Sequence, residues 1–126
     1  MKLVASDKIY VNKSDIPNAG RGIFARRVIK KGENIESCPI IEVSKNDTSN
    51  LSESLLVTYF FYFGKHKERL AVALGFGSIY NHSYKPNATF KIKPKVAIID
   101  FVALNEIKKD EEITFNYYHE NLKDII

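Results

Sequence analysis

Four short stretches of this 126-residue chain carry side chains that could do chemistry. Residues 80–87, YNHSYKPN, bring an amide and an imidazole together at Asn81 and His82, directly behind the apolar run LAVALGFGSI of residues 70–79. Asn and Ser favour turns through side-chain bonds to the backbone, and Pro86 forbids a helix across the cluster. Residues 18–24, NAGRGIF, have the G-x-G spacing of a nucleotide loop. A dinucleotide fingerprint needs a third glycine and then a helix, whereas Gly22 runs into the strand-like IFARRVI. What survives is a glycine turn whose backbone can approach a ligand, or a plain hairpin turn. Residues 59–63, YFFYF, are either core or an aromatic wall, and residues 111–118, EEITFNYY, end in Tyr117 and Tyr118.

Several chemistries are excluded. A lone histidine beside apolar sequence is more often a satisfied core group than a catalyst. His66 and His119 stand at no recognised ligand spacing from His82, and no local signature pairs it with Cys38, so neither a metal centre nor a thiol nucleophile is expected. Cys38 is the single cysteine, which rules out an internal disulfide and a multi-cysteine zinc site and fits a reducing compartment. The opening MKLVASDKIY has too short an apolar stretch for a signal peptide, and no segment is long enough to cross a bilayer as a helix. The expectation is an intracellular protein, in the cytoplasm or a nucleus. The net charge is +4, and the basic residues are scattered. The pairs Arg26-Arg27, Lys30-Lys31 and Lys108-Lys109 fall short of a basic tract, so a solvated surface is expected rather than a nucleic-acid site.

These residues need elements to position them. The length predicts one domain over 1–126, and its 44% hydrophobic content is ordinary for a globular core. KIYVNKS, GIFARRVI and NIESCPIIEV read as strands, with a tight turn at Lys31-Gly32. In LSESLLVTYFFYF, Leu51, Leu55, Tyr59 and Phe63 recur at four-residue steps, which predicts a helix opened by an Asn50/Glu53 capping box. That helix would be apolar on nearly every side, as a buried helix or a partner surface would be. ATFKIK and VAIIDFVAL flank Pro94-Lys95 as a hairpin, and EEITFNYY is a last strand. Alternation there would send Ile113, Phe115 and Tyr117 to one face and Thr114, Asn116 and Tyr118 to the other. The expected fold is mostly β, or α+β, with one main helix.

In order along the chain, these stretches resemble the SET-domain lysine methyltransferases. GRGIFARRVIKKGENI is similar to that family's first motif, GSIYNHSYKPNATF to its N-H-S-x-x-P-N motif, and DEEITFNYY to its closing GEE-L/I-T-F-D-Y. The motifs span roughly residues 8 to 118, leaving 119–126 as a short tail, as in the stand-alone SET proteins of bacteria and large viruses. The resemblance implies several small sheets, a C-terminal pseudoknot through which the last strand is threaded, and S-adenosylmethionine as methyl donor. It places Asn81 on the donor's amino group, the backbone of His82 at the adenine, and Arg21, Gly22 and Phe24 along the rest of the donor. It places Tyr117 beside the sulfonium, and Tyr59 (or Tyr62) and Phe115 in the lysine channel. Two departures stand out: Asn116 replaces the usual Asp, and the zinc-binding cysteine segment that often follows is absent. Tyr118 and the tail, or a second subunit in a homodimer, would then have to close the channel.

The reaction suits these residue types. Methyl transfer from a sulfonium is an in-line displacement, which gains chiefly from alignment. The acceptor must be a neutral amine, and keeping a free lysine neutral at pH 7 costs about 4.6 kcal/mol. An aromatic channel beside a cationic sulfonium penalises the ammonium by desolvation and by like charge. The implied substrate is a histone-like or other basic protein, with Asp110, Glu111 and Glu112 as candidate acids at the entrance. The alternative is a SET-like module that has lost catalysis and grips a peptide.

Overall fold

The computed structural model describes residues 2–118. Its strands are β1 (Ile9–Lys13), β2 (Arg21–Ala25), β3 (Asn34–Val43), β4 (Phe61–Phe63), β5 (Arg69–Ala73), β6 (Asn81–His82), β7 (Ala88–Lys93), β8 (Ile98–Ala103) and β9 (Glu112–Phe115). They form a four-stranded sheet in the order β1-β2-β9-β6 and a five-stranded sheet in the order β4-β5-β3-β8-β7. The architecture is the mostly-β one of small sheets with one helix that the sequence predicts.

The strands sit where β-branched and aromatic residues concentrate. β3 covers NIESCPIIEV in full, and β7 and β8 pair from Ala88↔Ala103 to Lys93↔Ile98 as the expected hairpin. Its turn is a short 3-10 stretch, Pro94–Val96, followed by Ala97 at φ 56.

The predicted helix is displaced and much shorter. Helix α1 spans Lys45–Leu51, so Asn50 lies inside it and no Asn50/Glu53 capping box forms. The apolar run then folds as a 3-10 turn, Leu55–Tyr59, and strand β4. Ser52, Ser54 and Thr58 each bond back to a carbonyl three residues earlier, which favours tight turns over a continuing helix. Beyond them, Phe61 and Phe63 are buried while Tyr62 faces out, and β4 pairs with β5 through Phe61↔Ala71 and Phe63↔Arg69. The four-residue spacing was coincidental to a period of two.

The two sheets meet through aromatic rings. Phe115 of β9 packs on Phe61 of β4 at 5.7 Å, Phe90 of β7 at 5.4 Å and Phe101 of β8 at 5.4 Å. Tyr80 stacks on Phe101 at 4.4 Å. β9 is covered on both sides, so both sets of its alternating residues are buried, Ile113 and Phe115 as well as Thr114 and Asn116. Tyr117 and Tyr118 lie past its end, in a turn where Asn116 Oδ1 accepts the Tyr118 N–H at 2.9 Å.

Candidate active site

β9 is held between β2, which pairs with it antiparallel, and β6, which pairs with it parallel. The N-H-S-x-x-P-N segment supplies the side chain that secures it. Asn87 Oδ1 accepts the Thr114 N–H at 2.9 Å, and its Nδ2 donates to Glu112 O at 2.9 Å. One amide thus replaces a neighbouring strand's peptide group, which explains an asparagine in the interior.

Asn81 is fixed in the same way. Its Nδ2 donates to Arg21 O at 2.9 Å and to Glu112 Oε2 at 2.8 Å. Both acceptors can only accept, so the amide nitrogen must face them and Oδ1 must point elsewhere. That oxygen accepts no bond among the described residues. Glu112 is held in turn by the Ser14 hydroxyl at 2.7 Å. Gly22 is required here by space: a Cβ would lie 2.2 Å from Glu112 Oε2 and 3.0 Å from Asn81 Nδ2. Gly20 serves conformation instead, at φ 75 with open space around it.

β6 is an edge strand, and the Ser83 N–H bonds to Phe115 O at 3.1 Å. In a parallel ladder this commits residues 81 and 83 to Phe115 and leaves the peptide groups of His82 facing the open edge. The His82 side chain holds the neighbouring turn, because Nδ1 accepts the Tyr117 N–H at 3.0 Å. The ring proton therefore sits on Nε2, which is buried and finds no acceptor among the described residues. Tyr84, Tyr117 and Tyr118 surround the ring.

Tyr117 joins this edge to a cavity. Its hydroxyl donates to Tyr80 O at 2.5 Å. Burial, and then the negative charge possible at Tyr59 and Glu112, push its pKa above the usual phenol value. It is a hydrogen-bond donor at neutral pH and not a base. The cavity has a volume of about 490 Å³, and Tyr59, Tyr62, Tyr80, Phe115 and Tyr117 line it. A smaller one, about 360 Å³, lies between residues 2–8 and 34–37 and is lined by none of Tyr59, Asn81, His82, Phe115 or Tyr117.

Tyr59, Phe115 and Tyr117 are therefore brought to one aromatic cavity, and Tyr62 joins them. Arg21 and Gly22 of β2 meet Asn81, and His82 follows it on the open edge of the same sheet. Phe24 points along the same sheet but stacks on Tyr10, at 5.6 Å. The acidic residues are not at the cavity mouth. Asp110 accepts from Tyr10, Glu111 caps the Lys108 N–H, and Glu112 anchors Asn81. Sequence reasoning missed Glu112 and Ser14 as supports of Asn81. The repeated glutamate just before a buried strand was the available signal for Glu112; Ser14 had none.

A profile of the SET domain matches residues 20–118. The chain belongs to the SET-domain family. It is 33% identical over 104 residues, 82% of its own length and 69% of the relative's, to the histone-lysine N-methyltransferase of Schizosaccharomyces pombe that is specific for H3 lysine-37. A crystal structure of a Plasmodium falciparum protein assigned to the histone methyltransferases matches with TM-score 0.69 at 35% identity, covering 89% of this chain and 98% of that one. The Chaetomium thermophilum Polycomb Repressive Complex 2, in an autoinhibited conformation bound to S-adenosylmethionine, shares the fold with TM-score 0.76 at 24% identity, over 91% of this chain and 15% of that one. The chain is thus a homologue of the histone-lysine N-methyltransferases, and lysine N-methylation is the activity this homology carries. Among the described residues no helix is long and apolar enough to cross a membrane.

Proposed function

We propose that the chain, as a single SET domain, transfers the methyl group of S-adenosylmethionine to a lysine of a histone-like tail. One observation carries the reading: the Tyr117 hydroxyl, fixed on Tyr80 O, stands where the aromatic cavity meets the edge formed by Asn81 and His82. Asn81 Oδ1, which accepts no bond among the described residues, suits the donor's ammonium, and the outward peptide groups of His82 suit the adenine. Lysine would enter the cavity from the other side. Its amine lone pair attacks the methyl carbon, the carbon–sulfur bond breaks, and sulfur keeps the electron pair as a neutral thioether. The new methylammonium then loses its proton to water. Tyr117, protonated and oriented, shapes the reacting centre without taking a proton. The cavity walls disfavour a charged amine before the reaction and hold it in line.

Among the described residues no acid lines the cavity, so their recognition of a basic tail would rest on shape and backbone pairing rather than on charge. A homodimer belongs to the same reading. Leu55, Leu56 and Tyr62 leave apolar surface near the cavity, and light scattering at assay concentration would detect the pairing. A chain acting on chromatin would work in a nucleus.

The test is labelled methyl transfer to histones and histone H3 peptides. The native chain should label them, and Tyr117→Phe should lose most turnover while keeping its fold and its donor affinity. Donor binding with no transfer to any protein would instead favour a peptide-binding module.

A further inference from the structure

Glu36 lies outside every motif that the resemblance rests on. It is a buried carboxylate in β3, and no ion pair to it occurs among the described residues. One oxygen accepts the Tyr80 hydroxyl at 2.8 Å, and the other accepts the Phe76 N–H at 3.1 Å. The carboxylate thus grips both ends of the turn from Phe76 to Tyr80. Gly75, at φ 63, lets the chain close over it: a Cβ there would lie 3.0 Å from Glu36 Oε2. The turn is tied internally as well, with Ile79 N–H on Phe76 O at 2.9 Å and the Ser78 hydroxyl on Ala73 O at 2.8 Å. Its outer side is cavity wall, because Gly77, Ser78 and Tyr80 line the cavity.

Tyr80 connects this support to the reacting centre. Its ring is buried against Phe101, its hydroxyl is on Glu36, and its carbonyl accepts the Tyr117 hydroxyl. Burial and then the Glu36 charge hold the Tyr80 phenol well above its usual pKa, so it remains a donor to Glu36. A buried carboxylate without a cation is a costly way to secure a turn, and an apolar pair of the same shape would serve stability as well or better. What the hydrogen bonds add is a fixed position and direction.

We infer that Glu36 is a positioning residue: through Tyr80 it fixes the carbonyl that orients the Tyr117 hydroxyl and the wall of the lysine cavity. This rests on the methyl-transfer reading above. Tyr80→Phe removes only the hydroxyl and keeps the ring stacked. It should lower kcat by about 10- to 100-fold, the cost of a small misplacement, while leaving donor affinity and peptide KM within about twofold. Glu36→Gln, which keeps an acceptor for Tyr80, should retain more turnover than Glu36→Ala. A second readout is independent of activity. In protein with carbon-13-labelled tyrosine, the Tyr117 ring signals, assigned with Tyr117→Phe, should shift in Tyr80→Phe and in Glu36→Gln. Those of Tyr10 should not. Native-like kcat in Tyr80→Phe, or a loss matched by equal weakening of donor binding, overturns the inference. If the native chain methylates nothing, the methyl-transfer reading fails, and unmoved Tyr117 signals would separately refute the positioning role.

Discussion

Asn81 is an asparagine because its position needs a donor and an acceptor at once. The amide nitrogen spans Arg21 O and Glu112, and the oxygen stays available. Asn81→Ala should weaken S-adenosylmethionine binding by about 1–3 kcal/mol, the worth of a charge-assisted bond, as calorimetry would read. Phe115 is constrained differently. It is buried among Phe61, Phe90, Phe101, Tyr80 and Tyr117, and one side of it faces the cavity. A tyrosine hydroxyl there could hold a water in the space a second methyl group needs, whereas phenylalanine anchors that water poorly. The native chain should therefore make at least dimethyl-lysine, and Phe115→Tyr should shift the product toward monomethyl. Mass spectrometry after long incubation checks this; an unchanged mixture would leave Phe115 as core alone.

Among the elements, the β7–β8 hairpin holds a local conflict. Ala97 adopts φ 56 and ψ 49 on an exposed turn, a conformation that costs a non-glycine residue about 1–2 kcal/mol. Glycine would relieve that cost and give back about 0.4–1 kcal/mol through its freer unfolded chain. Ala97→Gly should therefore stabilise the fold by roughly 0.5 kcal/mol, raising the urea midpoint without changing the slope. The hairpin's hydrogen bond from Ala97 N–H to Pro94 O needs no side chain and should survive.

For the whole molecule, acid stability depends on carboxylates that tie strands together. Asp100 of β8 accepts from Ser37 of β3 at 2.6 Å and pairs with Lys93 of β7 at 2.7 Å. Burial raises its pKa, but the bonds from Lys93 and Ser37 outweigh burial and leave it below the ordinary value. A depressed folded-state pKa contributes stability that is complete above the unfolded value, about 3.9, and lost as pH falls through the folded one. Urea midpoints should therefore drop below about pH 4, and Asp100→Asn should flatten that decline. An undiminished acid decline in the variant would assign it to other carboxylates. Glu33, lowered by the Lys30 N–H and by Lys8 and Arg27, acts in the same direction.

The sequence by itself determined the strands whose residues favour one state locally. NIESCPIIEV and ATFKIK are β-branched or apolar enough to need no partner to be recognised, and Pro94 marks the turn between β7 and β8. Through its three ordered motifs it also pointed to His82 and Phe115 as neighbours of Tyr117, whereas Phe24 of the first motif lies against Tyr10. It misled over residues 51–63, where apolar residues at four-residue steps fit a helix as well as a turn and strand. Only pairing with β5 in a short hairpin, closed at Phe63↔Arg69, decided between them, and the four-residue apolar spacing carries no sign of that pairing. The same holds for Glu36 and Glu112. A carboxylate inside an apolar strand has no meaning until the fold shows what it accepts from: Tyr80 and Phe76 in one case, Asn81 and Ser14 in the other. Local propensity acts over a few residues, whereas these bonds join positions dozens apart, and only the tertiary structure brings them together.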